Sequence, residues 1–131
     1  MSARILIVDD NSVNLKLASE VLETAGYIIV TAADAELAQE ILKNTQPDLI
    51  LMDIALPGMD GLTLTRKLKD DKRLKHIPVI ALTAFAMKGD EQKASEAGCD
   101  GYITKPIDTR KLPQLVAELL RKSKGTDGEP I

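Results

Sequence analysis

Short, unbroken apolar runs alternate along this chain with longer stretches in which apolar positions recur every three or four residues. Arg4-Ile5-Leu6-Ile7-Val8 is the first short run, and its continuous apolar character suits a strand covered on both faces. Asp9-Asp10-Asn11-Ser12 ends it and offers a helix cap, with Asp10 the first candidate. Leu15, Ala18, Val21, Leu22 and Ala25 then share one helical face, with Lys16, Glu20 and Glu23 elsewhere, and Gly26 stops the helix. Tyr27–Val30 reads as a second strand. Ala35–Asn44 reads as a second helix, capped by Asp34 and turning Leu37, Ala38, Ile41 and Leu42 inward. Pro47 breaks the chain before a third strand, Asp48–Asp53, and a turn-rich loop, Leu56–Gly61, follows.

A third helix is expected from Leu62 to Asp70, packing Leu64 and Leu68, and a fourth strand over Ile77–Leu82, with Pro78 near its start where a missing N–H is tolerable. The fourth helix, around Gly89 to Glu96, is short and Ala-rich; an interior Gly89 would cost it roughly 1 kcal/mol. Gly101–Thr104 is the fifth strand. The last helix begins at Leu112 or just before, because Pro113 cannot sit deep inside it, and runs to about Lys122 with Leu115, Val116, Leu119 and Leu120 inward. Five strand–helix units in alternation imply an α/β fold, a doubly wound parallel sheet with helices on both faces and right-handed crossovers. Residues 1–122 form one domain in this reading, and 123–131 a flexible tail.

Composition narrows the classes. Of 131 residues, 44% are hydrophobic and 2% aromatic, so the core must be aliphatic. The net charge of −3 and the near absence of aromatics argue against a nucleic-acid surface. Cys99 is the only cysteine, which rules out an internal disulfide and fits a reducing compartment. No apolar run nears the ~20 residues a membrane span needs, and the first residues lead straight into a strand-like run with no signal peptide. A cytoplasmic protein without membrane or nucleic-acid partners is expected.

Function in an open parallel sheet gathers at the carboxyl ends of its strands. Asp9 and Asp10 end the first strand, Asp53 the third; Thr83 follows the fourth and Lys105 the fifth. Each has a bland reading, as a cap, a turn residue, a solvated threonine or a surface lysine, but all converge on one edge. Three neighbouring carboxylates resist ionising together, and a hard divalent cation such as Mg2+, or Mn2+ in its place, relieves them. Lys105 supplies a mobile cation and Thr83 a hydroxyl donor. Together with a nucleophilic carboxylate, these are the parts of phosphoryl transfer.

Ile7-Val8-Asp9-Asp10-Asn11, Leu51–Gly61, Leu82-Thr83-Ala84 and Tyr102-Ile103-Thr104-Lys105-Pro106, in this order, resemble the receiver domains of bacterial response regulators (the CheY-like superfamily) across residues 4–122. Phe85–Glu91 resembles both single-domain cell-cycle regulators of the DivK type and receivers attached to hybrid histidine kinases. The resemblance implies a flavodoxin-like strand order 2-1-3-4-5 with five helices, and Asp53 as phosphoacceptor from a phosphohistidine on a sensor histidine kinase or phosphotransfer protein. It implies Mg2+ held by Asp10 and Asp53, by Asp9 through water, and by the Ala55 backbone carbonyl. Lys105 would contact the phosphoryl group, with a cis Lys105–Pro106 bond. Thr83 and Tyr102 would form a switch pair that reshapes a face of helix four, strand five and helix five toward a downstream protein partner. Such a protein is a switch that assists its own phosphorylation and dephosphorylation, not an enzyme; a phosphorelay intermediate or a receiver cut from a hybrid kinase is the alternative.

Ala55 and Phe85, two residues past Asp53 and Thr83, cannot orient an attacking water, so slow self-dephosphorylation is expected. An aspartyl-phosphate phosphatase would show Asp-x-Asp, and Asp53-Ile54-Ala55 lacks the second aspartate. A flavodoxin-like nucleotide binder needs a phosphate-cradling first loop, where this chain has Asp9-Asp10-Asn11. His76, the one histidine, reads as solvated, Cys99 and the methionines Met52, Met59 and Met87 as packing, and Lys72-Arg73-Leu74-Lys75 as a solvated loop with a lesser chance of docking an acidic partner.

Overall fold

The computed structural model of the chain describes residues 3–56, 58–83 and 90–127. Strands and helices alternate through them as β1 (Arg4–Val8), α1 (Ser12–Thr24), β2 (Ile28–Ala32), α2 (Ala35–Asn44), β3 (Leu49–Asp53), α3 (Gly61–Asp70), β4 (Val79–Thr83), α4 (Asp90–Ala97), β5 (Gly101–Thr104) and α5 (Lys111–Asp127). Every pairing is parallel, and the order β2-β1-β3-β4-β5 is the flavodoxin-like one expected.

Successive strand side chains point to opposite faces, so the continuous apolar runs feed two cores at once. On one face Ile5, Ile7, Leu49, Leu51, Ile80 and Leu82 meet Ala18 and Leu22 of α1 and Leu112 and Val116 of α5. On the other, Leu6, Val8, Ile50, Met52 and Val79 meet Ala38 and Leu42 of α2 and Leu64 and Leu68 of α3. All five positions of β3 and of β4 are buried, which fixes the two strands that carry Asp53 and Thr83.

The helix ends follow local chemistry. Asn11, not Asp10, caps α1: its Oδ1 accepts the N–H groups of Val13 and Asn14 at 2.9 and 3.1 Å. Asp34 caps α2 as expected, accepting Leu37 N–H at 2.8 Å. Gly26 follows α1 with φ 102°, a conformation that other residues adopt at a cost.

Some expectations shift. Leu37 is 46% exposed, because the inward stripe of α2 is Ala35, Ala38 and Leu42 and Leu37 lies one residue off it. Ala25 is exposed beyond the end of α1. β2 lies later than Tyr27–Val30, since its pairing runs from Arg4↔Ile28 to Val8↔Ala32. β4 begins at Val79, after Pro78, and α3 begins at Gly61. Pro113 is the third residue of α5, where no intrahelical partner for an N–H is needed. That helix runs to Asp127, past the Lys122 end expected from sequence: Leu119 and Leu120 seat it on the core, and its polar final turns continue beyond. Residues 128–131, the remainder of the expected tail, lie outside the described residues.

Candidate functional site

The central strands β1 and β3 end side by side and bring their acids together. Asp9 follows β1, its backbone N–H donating to Ala32 O of β2 at 3.1 Å, and Asp53 is the last residue of β3. Asp9 is fully buried, Asp53 is 3% exposed and Asp10 is exposed. One carboxylate oxygen from each of Asp9, Asp10 and Asp53 lies within 4.8 Å of the others. Lys105, just after β5, reaches across the edge: its Nζ lies 3.0 Å from Asp9 Oδ2 and 3.2 Å from Asp53 Oδ2. Thr83, ending β4, is 6% exposed, and its carbonyl accepts Lys105 N–H at 2.6 Å. The Lys105–Pro106 bond is cis.

Two backbone donors fix the carboxylates. Asp9 Oδ1 accepts Asn11 N–H at 2.9 Å, and Asp53 Oδ1 accepts Ala55 N–H at 3.0 Å. That leaves the two Oδ2 atoms aimed toward Lys105. Asp9 Oδ2 is completely buried and, although an ion-pair neighbour of Lys105, accepts no hydrogen bond among the described residues. An oxygen so placed has unused electron density facing two other carboxylates. Burial pushes the Asp9 carboxyl above its ordinary range; the Asn11 N–H and Lys105 oppose this, and the Asp53 charge adds to it. Burial works to lower the Lys105 pKa, but the Asp9 and Asp53 carboxylates outweigh it and hold the ammonium above its usual value.

The site therefore fits a hard cation on chemical grounds: three oxygen donors, a surplus of negative charge and one orphaned buried acceptor. Ala55, two residues past Asp53, is exposed at the same loop. Tyr102 is half-buried on β5, paired in register with Ala81, one diagonal step from Thr83 on the same face of the sheet. Phe85 and Ala84 lie outside the described residues, as does Gly89, the expected start of the fourth helix.

His76 is exposed in the loop after α3, as expected, and burial raises the Cys99 thiol pKa. Two features were not anticipated. Gly61 opens α3 with its backbone against that of Asp53: a Cβ there would lie 2.1 Å from Asp53 O. Val13 is 73% exposed in the first turn of α1, with Leu17, 36% exposed, one turn on. The apolar spacing of α1 could have revealed Leu17, which lies off the inward stripe; Gly61 carries no sequence signal beyond its identity. No helix among the described residues is long and apolar enough to cross a membrane.

Comparison with known proteins gives the same picture. The family pattern of the response regulator receiver domain matches residues 5–117. The polar-differentiation response regulator DivK of Brucella ovis is 44% identical over 120 residues, 92% of this chain and 98% of the relative. A CheY-like response regulator receiver domain protein from Methanospirillum hungatei superposes with TM-score 0.88 at 32% identity, over 96% of this chain and 99% of the other. The receiver domain of a sensor histidine kinase from Pseudomonas aeruginosa, solved with magnesium coordinated in its active-site cleft, gives TM-score 0.84 at 32% identity over 92% and 98% of the two chains.

Proposed function

This chain belongs to the response regulator receiver family, the signal-accepting domains of two-component systems, and on that footing we propose that Asp53 is its phosphoacceptor, working with Mg2+. The observation that carries this reading is the convergence of Asp9, Asp10 and Asp53 beside Lys105, with Asp9 Oδ2 buried and without a donor.

Mg2+ in this site would neutralise charge on the non-bridging oxygens of the transferring group. Asp10 and Asp53 would hold it by side chain, the Ala55 carbonyl by backbone and Asp9 through water. An Asp53 carboxylate oxygen attacks the phosphorus of a phosphohistidine; the new P–O bond forms as the P–N bond breaks, and the donor imidazole leaves. Ala55 N–H keeps the carboxylate in place during attack. Lys105, already 3.2 Å from Asp53 Oδ2, follows the incoming negative charge. The Thr83 hydroxyl turns toward the phosphoryl oxygens, and the half-buried Tyr102 ring takes up the space released. The face of α4, β5 and α5 then changes toward a downstream protein partner. The donor, a sensor histidine kinase or phosphotransfer protein, lands on the exposed Val13 and Leu17 of α1, which begins two residues after Asp10. The chain acts in the cytoplasm as a switch, as its relatives named DivK suggest, rather than as an enzyme turning over a substrate.

Incubation with acetyl phosphate and Mg2+, followed by intact mass measurement, tests the assignment. One phosphoryl group should be added, and Asp53→Asn should abolish the addition. Turnover of phosphomonoesters without a stable adduct would instead identify a phosphatase.

A further inference from the structure

A second concavity lies at the opposite edge of the sheet from Asp53, where β4 and β5 begin. It encloses about 430 Å3, within the range that accommodates small ligands. Pro78 and Leu119 give it apolar walls, and Lys69, Lys75, His76 and Lys122 surround them, with Asp100 the one carboxylate in the lining.

The charges of this lining divide into two sets. Asp100 Oδ2 accepts Lys69 Nζ at 3.1 Å and Val79 N–H at 2.9 Å, so its negative charge is already matched. Lys69 Nζ also donates to the carbonyls of Ile77 at 2.8 Å and Lys75 at 3.3 Å. This pair forms a rigid, electrically balanced wall that ties the end of α3 to the start of β5. The second set, Lys75, His76 and Lys122, is cationic or protonatable throughout. Lys72 and Arg73 precede it in the same loop and add to the local positive potential, although the whole chain is acidic. Like charges gathered around a concavity lower the free energy of an anion held between them, and a phosphate offers the acceptors that ammonium and imidazolium donors need.

We propose that this cavity binds a small phosphate-bearing anion, with the phosphate among Lys75, His76 and Lys122 and any apolar portion against Pro78 and Leu119. The site goes beyond the phosphoryl switch and is separate from it. A strand's length, about 15 Å, divides the two edges, and none of the three groups belongs to the Asp53 cluster. Because β4 and β5 start here and present Thr83 and Lys105 at their other ends, an anion in the cavity braces the same strands that serve the switch.

His76 is the only histidine in the chain, so its imidazole resonances report on the cavity alone. The full chain, without Mg2+, is titrated with inorganic phosphate and separately with adenosine monophosphate while those resonances are followed by NMR. Binding should shift them saturably and move the imidazole titration to higher pH, equally in the wild type and in Asp53→Asn. Lys75→Gln should weaken the affinity about three- to tenfold, the loss of one exposed charged contact. Tighter binding of the nucleotide would identify a ligand that uses the apolar walls, and equal binding would identify phosphate itself. A response that chloride reproduces at equal ionic strength, or that Lys75→Gln leaves unchanged, overturns the proposal.

Discussion

Replacing Gly61 by alanine strikes the junction on which Asp53 is mounted. The added Cβ would lie 2.1 Å from Asp53 O, 2.9 Å from its carbonyl carbon and 3.0 Å from Ile54 Cα. Carbon and oxygen settle at about 3.3 Å even in close contact, so the two backbones must part by roughly 1 Å. Neither side yields cheaply. Asp53 ends a strand flanked on both sides, and Ile54 N–H donates to Leu82 O at 3.0 Å. Gly61 N–H donates to Ile54 O at 2.9 Å, and Thr65 Oγ1 donates to Gly61 O at 2.8 Å. Parting the backbones gives up the Gly61–Ile54 bond, about 1–3 kcal/mol for groups left buried, and strain from overpacking adds about 1–3 kcal/mol. Alanine returns about 1 kcal/mol through its better helix propensity. Gly61→Ala should therefore lose about 3 kcal/mol, read as a lower urea midpoint with an unchanged slope. Gly58→Ala is the control: with φ 75° and open space around its Cβ, it should lose only about 1–2 kcal/mol from the left-handed backbone. If Gly61→Ala costs no more than Gly58→Ala, the close approach of α3 to the end of β3 is not what fixes the site.

Three further outcomes follow from the charge cluster. Asp9→Asn should stabilise the metal-free protein at pH 7 on the order of 1 kcal/mol, about 3 °C in Tm. Because the Asp9 carboxyl titrates above its ordinary range in the fold, its ionised form opposes folding. The difference between variant and wild type should therefore shrink as pH falls through that raised value, and Mg2+ should favour the wild type; thermal melts across pH with and without Mg2+ read both. Lys105→Met leaves Asp9 and Asp53 without their cation. It should cost about 2 kcal/mol in metal-free buffer, with Mg2+ recovering most of the loss in the same melts. Ala55→Asn places an amide where an attacking water must pass, and should shorten the acyl-phosphate lifetime several-fold in an intact-mass time course; fast loss already in the wild type would refute the slow-decay reading.

The parts of the molecule that were legible in the sequence are those decided by near neighbours. The ends of β1 and β5 and the Asp34 cap depend on residues within a few positions, and the parallel sheet follows from alternation alone. The acid cluster was legible because a parallel sheet sends every strand's carboxyl end to one edge, whatever the details of packing. What escaped was settled by contacts distant along the chain or by competition between adjacent candidates. Asp10 and Asn11 both suit a cap, and only the backbone path after β1 gives the role to Asn11. Leu37 fits a helical stripe on paper, yet the sheet lies against Ala35, Ala38 and Leu42. The length of α5 depends on how firmly Leu119 and Leu120 anchor it, and the tight fit at Gly61 on the angle at which α3 meets β3.

The strand order also makes the domain lopsided. Every charged group of the cluster comes from β1 or from the strands running from it toward β5, whereas β2 contributes one main-chain carbonyl beneath Asp9. The flank made of β2 and α2 is thus chemically silent, a buttress whose exterior is free to drift or to acquire a second binding partner while the machinery on the other flank stays untouched.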